Sequence, residues 1–183
     1  MSAMLTNNVL EAAEQKIESN LVPNNRANYM KIVVAGMKIG LAKGPDSMLA
    51  KLHNSKDPVN DCAKGAVNLA MLLYKHTQGS MPFQAMIPAA MTLMLHGLDF
   101  VDKSKIVKIG AAELDQATHT FMNTMFHNLG ITPAMLAQAH DKITRIVKDP
   151  AHLEAMKQKA GLVKSPNAST PTSVPDAGDA NGV

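Results

Sequence analysis

The chain has 183 residues, 46% of them hydrophobic, enough to bury one sizeable core. With no tryptophan and only 3% aromatic residues, that core has to be filled by Leu, Ile, Val, Ala and 14 methionines, side chains that suit adaptable surfaces as well as irregular gaps. The net charge of +3 and pI near 9.0 are mild, and Arg26 and Arg145 are the only arginines. A dedicated nucleic-acid reader leans on guanidinium forks and aromatic platforms and is disfavoured, while a lone cysteine, Cys62, excludes an internal disulfide and any cysteine-cluster metal site.

From Met1 to Ser19 there is no basic flank, long apolar segment or small-residue cleavage site, so no secretory signal is expected. Leu5, Val9, Ala12, Ala13, Ile17 and Leu21 keep helical spacing and predict an amphipathic helix over about residues 6–21, capped by Thr6 or Asn7. Val22-Pro23-Asn24-Asn25 stops it. A second helix, about Asn25 to Lys43, places Tyr29, Ile32, Val33, Gly36, Met37 and Gly40 on one side. Gly36 and Gly40 cost roughly 1 kcal/mol of helix propensity each, which makes sense where another helix approaches closely. Gly44-Pro45 opens a short helix through Met48, Leu49 and Leu52. Asp57-Pro58 then opens a longer one, whose inward stripe is Val59, Cys62, Ala63, Ala66, Val67, Ala70, Met71 and Tyr74. Cys62 lies in that stripe and reads as an inert core thiol.

The next stretch, Gly79 to Phe100, is apolar on every side: Met86, Ile87, Ala90, Met91, Leu93, Met94, Leu95 and Leu98 cover the whole circumference. Such a helix is buried or lies in a membrane. Its apolar run falls short of the roughly 18 to 20 residues a bilayer span needs, and Asp99 and Asp102 follow at once, so a buried central helix is predicted and no integral membrane span. Pro82 fits the first helical position, with Ser80 or Met81 as cap. Pro88, six residues further in, deletes a backbone bond at a cost of about 3 kcal/mol, and a kink or break is expected near Gln84 to Ile87.

Ile106-Val107-Lys108-Ile109 reads as an extended connector, since a lone strand has no partner. A helix over about Ala111 to Asn128 carries the clearest stripe, Leu114, Ala117, Thr118, Phe121, Met122, Met125 and Leu129, with Gly130 as its cap. Thr132-Pro133 starts another helix through Met135, Leu136, Ala139, Ile143, Ile146 and Val147; Asp149-Pro150 starts a last one. From residue 164 onward the composition is that of a disordered tail. The expected architecture is all-α, a bundle of about six to eight helices around a buried central one, with one domain over residues 1–163 and a tail over 164–183.

No catalytic constellation emerges. The sequence lacks a Gly-rich phosphate loop, HExxH and GxSxG. His119, Asn123 and His127 share one side of a helix without nearby acids in a ligand pattern and read as a solvated polar face. His96 beside Asp99 reads as a histidine satisfying the last helical carbonyls. The turn Leu129-Gly130-Ile131-Thr132-Pro133 matches a DNA-binding helix-turn-helix only in part, because Phe126 stands where a small residue belongs and no arginine opens the following helix. No enzyme, metal or cofactor is expected.

Two segments, Val34-Ala35-Gly36-Met37-Lys38-Ile39 and Gly79-Ser80-Met81-Pro82 through Ile87-Pro88-Ala89 to Leu98-Asp99-Phe100, resemble small helical proteins encoded among the head and portal genes of tailed bacteriophages. The similar part spans about residues 26 to 147. The resemblance implies a virion or assembly role in the head, neck or ejection apparatus, located in the virion or in host cytoplasm during assembly, with other copies and other virion proteins as partners. It supplies no catalytic residues. The residues themselves offer Gly36, Gly40, Met81, Pro82, Phe83 and Pro88 as interaction positions. The alternative is a small DNA-associated regulator or packaging accessory using Lys103, Lys105 and Lys108; a membrane-active ejection component is a more distant third.

Overall fold

Small side chains on one helix and methionines on the next let the chain wrap one apolar rod, and the computed structural model, which describes residues 5–42 and 44–148, is all-helical. Among the described residues there are seven α-helices and no strand. The chain divides after Thr132 into two units, Met1–Thr132 and Pro133–Val183, a division inside the single domain expected over residues 1–163. The helix expected from Asp149-Pro150 and the tail expected from residue 164 lie outside the described residues. The second unit contributes α7 (Pro133–Lys148), which opens on Thr132-Pro133 as its sequence signals.

In the first unit α1 (Asn8–Ser19) is shorter than the predicted 6–21 and is capped by Asn7, whose Oδ1 accepts from the Val9 and Leu10 amides. Its inward face keeps Leu5, Ala13, Ile17 and Leu21 of the predicted stripe, buried or packed against the core. Val9 and Ala12 are instead exposed, and Leu10 and Glu14 are buried. Polar latches at the N-terminus of α1 help set this rotation. A 3-10 turn at Pro23–Asn25 leads to α2 (Arg26–Gly40), with Tyr29, Ile32, Val33 and Gly36 buried. Next come α3 (Pro45–His53), opened by Gly44 at φ +83°, and α4 (Pro58–His76), capped by Asp57 through Asn60 N.

The central helix is α5 (Phe83–Lys103). Ala85, Met86, Ala89, Ala90, Thr92, Leu93, Met94, Leu95, Leu98, Asp99 and Val101 are buried, as the all-round apolar pattern predicts. No described helix is long and apolar enough to cross a membrane. Two expectations about its start need correction. Pro82 is the cap residue, extended at φ −68° and ψ 131°, and the first helical residue is Phe83. Of the kink or break expected near Gln84 to Ile87, the break does not occur: the helix is continuous through Pro88. The carbonyl that loses its donor belongs to Gln84, which is exposed, so water can satisfy it and the cost of the proline falls.

Helices α4 and α5 form an antiparallel hairpin. At one end the Tyr74 and Phe83 rings sit 5.1 Å apart; at the other, a Cβ placed on Gly97 would lie 3.4 Å from Cys62 Sγ. The narrow face of α4 makes this possible, because Ala63, Ala66 and Ala70 are fully or almost fully buried and keep the backbones close. On another side of α4 lies α6 (Ala111–Asn128), which buries Ala117, Phe121 and Met125 as its stripe predicts. Each such fully buried large side chain contributes about 1.5–3 kcal/mol. Glu113 accepts from Gly110 N at 2.9 Å to fix the start of α6, and Gly130 at φ +69° ends it, with Ile131 N donating to Phe126 O. The same closure ends α5, where Lys105 takes the left-handed position at φ +57° and Ile106 N donates to Val101 O.

The latches on α1 centre on two carboxylates of α5. Asp99 accepts from Thr6 N at 3.0 Å, Thr6 Oγ1 at 2.9 Å and Lys103 Nζ at 2.7 Å. Asp102 accepts from Asn7 Nδ2 and from Ile109 N. Burial alone would raise the Asp99 pKa, but the hydrogen bonds from Lys103 and Thr6 outweigh it and hold the carboxyl below its ordinary value. A depressed carboxylate contributes stability above its unfolded pKa of about 3.9 and loses it as pH falls through the folded value. Replacing Asp99 by Asn is expected to cost about 2 kcal/mol at pH 7 and to flatten the acid limb of stability below pH about 4; urea titrations of both proteins between pH 2.5 and about 7 check it, and parallel stability curves contradict it.

Candidate functional site

A cavity of about 810 Å³ opens between α2, α3, α4 and α5. Its glycines are of two kinds. A Cβ on Gly36 would clash with the Leu93 methyl groups, so Leu93 of α5 would have to move to admit any side chain there. By contrast, a Cβ on Gly65 would meet nothing within 4 Å, one on Gly40 would meet only Leu69 Cδ2 at 4.0 Å, and one on Gly97 would make an ordinary contact with Cys62. Gly65 and Gly97 lie inside helices with no positive φ, so each gives up roughly 1 kcal/mol of helix propensity without a backbone need. All three line the cavity.

The rest of the lining is mostly apolar, including Met37, Ile39, Leu41, Met48, Leu52, Leu69 and Phe100. Polar groups gather where the first turn of α4 meets the last turns of α5: Asp61, Asp99 and Lys103. Lys51 and Ser47 come from α3. Cys62 also borders the space, and burial, with a smaller push from Asp61, raises its thiol to about 12, which keeps it a protonated, unreactive group.

His96 lines the cavity too, and its partner corrects the sequence reading. It faces Glu14 of α1 rather than Asp99 or the helix end, with Nε2 3.2 Å from Glu14 Oε1. Glu14 is 7% exposed, and Oε1 lacks a well-aligned hydrogen bond, so the two groups are close without a hydrogen bond to satisfy that oxygen. Burial raises the Glu14 pKa, His96 partly offsets this, and Glu18 adds to it. The sign is opposite to that of Asp99: a raised carboxyl favours the fold at low pH, and that contribution is lost as pH rises through the folded value.

The predicted interaction positions do not form one patch. Gly36 is buried against Leu93 and serves the fold itself, while Gly40 borders the cavity. Met81, Pro82 and Phe83 lie at the opposite end of α5, where the exposed Phe83 ring rests on Tyr74; Pro88 is partly buried in the helix. Of the three lysines, Lys103 is paired with Asp99, while Lys105, whose backbone closes the C-terminus of α5, and Lys108 on the connector are exposed. His119 pairs at 3.8 Å with Asp115 on an exposed surface, and among the described residues no three His, Cys, Asp or Glu side chains come together as metal ligands do.

Sequence reasoning missed Gly65, Gly97 and Glu14. A glycine in mid-helix was itself the available signal, whereas nothing in the pattern of α1 marks Glu14 as inward. It also missed the outer face of α2, where Met30, Val34 and Ala35 lie between Lys31 and Lys38 around a shallow depression of about 390 Å³.

The two kinds of glycine give opposite outcomes on substitution. Gly36→Ala is expected to lower stability by about 1–3 kcal/mol through overpacking against Leu93, and Gly65→Ala to raise it by up to about 1 kcal/mol. Thermal melts of the two variants beside the parent check this, and two shifts of the same sign contradict it. Compared with known proteins, the chain matches no family model, no curated protein and no solved structure.

Proposed function

We propose that this chain is a structural interaction protein of a tailed-bacteriophage particle, a head, neck or ejection-apparatus component that acts through helix-mediated contacts with its own copies and with other particle proteins. The observation that carries the interaction is α2. Apart from Arg26, Asn28, Lys31 and Lys38 its fifteen residues are apolar or glycine, yet it is buried on one side only. A helix apolar around most of its circumference belongs inside something. Here Val34 is 47% exposed, Ile39 42% and, just past the helix end, Leu41 40%. With Lys31 and Lys38 beside Val34, the complementary partner surface is an apolar strip bordered by carboxylates. The phage setting comes from the resemblance of the Val34–Ile39 and Gly79–Phe100 segments, and the first of these lies on this same helix.

The reading as a DNA-associated regulator or packaging accessory is not favoured, because Lys103 is neutralised by Asp99 at 2.7 Å. Light scattering on size-exclusion eluates is expected to find an oligomer for the parent and a smaller species for Val34→Lys, whose charge has to be buried against a partner. Mass spectrometry of purified particles is expected to find the chain. A parent that stays monomeric and is absent from particles overturns the proposal.

A further inference from the structure

We propose that the cavity between α2, α3, α4 and α5 is a binding site for the acyl or alkyl chain of an amphipathic small molecule, with the polar head of that molecule at the Asp99–Lys103 end. Its volume, about 810 Å³, lies within the range of roughly 300–1,000 Å³ typical of small-molecule sites, which are apolar pockets with a few polar groups at defined places. Four helices, with Leu41, Ala42 and Gly44, supply its walls, and one side is open to solvent.

The glycines argue that the space is kept open for an occupant. Side chains at Gly40, Gly65 and Gly97 would fit without displacing anything in the fold, and neither backbone conformation nor packing requires glycine at Gly65. Their common property is that each borders the cavity, and what their missing side chains preserve is its volume. The shape suits a chain. From Leu93 to Lys103 the lining runs ten residues along α5, about 15 Å at 1.5 Å per residue; Leu93, Gly97 and Phe100 are its apolar members, His96 sits midway and faces Glu14 of α1, and the charged Asp99 and Lys103 lie toward the end of the helix.

The head group follows from the charges. Asp99 is buried and already taken up by Thr6 and Lys103, so the groups left to a ligand are the exposed Lys51 and Asp61 and the remaining N–H donors of the exposed Lys103, which together offer donors and an acceptor without a strong net field. It fits a carboxylic acid or a zwitterionic monoacyl lipid, and the chain is the chemistry the two share. This site is independent of the outer face of α2 and does not rest on the oligomeric reading.

The test titrates the full chain with dansyl-undecanoic acid and follows its fluorescence. Saturable binding of one probe per chain is expected, with displacement by dodecanoic acid identifying a free-acid site and displacement by lysophosphatidylcholine below its micelle concentration identifying a monoacyl-lipid site. Gly65→Leu and Gly40→Leu, which raise side chains into the cavity, are expected to weaken probe binding by about tenfold or more. Unchanged helical circular dichroism and a melting temperature at or above that of the parent distinguish loss of the site from loss of the fold. Absence of saturable binding to the parent, failure of both competitors, or parent-like affinity in both correctly folded variants overturns the proposal. Because probe affinity and the mass of the Val34→Lys species are separate readouts, this proposal and the interaction reading fail separately.

Discussion

The first unit depends on removing one helix from water. Helix α5 carries apolar side chains on every side and contributes nothing in isolation; its burial against α1, α2 and α4 supplies the driving force that orders the others. Each neighbour meets it by a different device. The alanine face of α4 brings the backbones together, Gly36 of α2 admits the Leu93 side chain, and α1 uses hydrogen bonds to Asp99 and Asp102. The two hydroxyls inside this core are paired with each other, Tyr29 Oη and Thr92 Oγ1 lying 2.9 Å apart, as buried hydroxyls require.

Polar fastening of α1 has an electrostatic side. Two carboxylates connect that helix region to α5 with opposite pKa shifts, Asp99 lowered by its donors and Glu14 raised by its burial. Falling pH therefore weakens one link and relieves the other. Both of these shifted carboxylates lie where α1 meets α5.

Much of this was legible in the sequence, for a physical reason. The stripes of α4 and α6, the caps at Asp57 and Gly130, and the buried character of α5 all follow from strong periodicity and strong punctuation, which tertiary contacts reinforce. On α1, Leu5, Ala13, Ile17 and Leu21 were legible, but Leu10 and Glu14 were not, because Val9 and Ala12 compete with Leu10 and the partners of Thr6 and Asn7, more than ninety residues away, help decide between them. The break expected at Pro88 is absent for a related reason: the proline's penalty depends on whether Gln84 O reaches water, which periodicity does not report. Gly65 and Gly40 look alike in sequence to Gly36, yet a Cβ on Gly36 would clash with Leu93, whereas one on Gly65 would meet nothing within 4 Å.

The cavity and the outer face of α2 are both consequences of a core that closes on α5 and leaves other apolar surface over. If α5 is the element on which the fold closes, its amides open only with the whole unit. Native-state hydrogen exchange on the full chain measures this directly. The account predicts the slowest exchange from Ala89 to Val101, matched by the facing stretch Ala63 to Ala70, with α3 exchanging far sooner; exchange of the α5 amides as fast as those of α3 would contradict it.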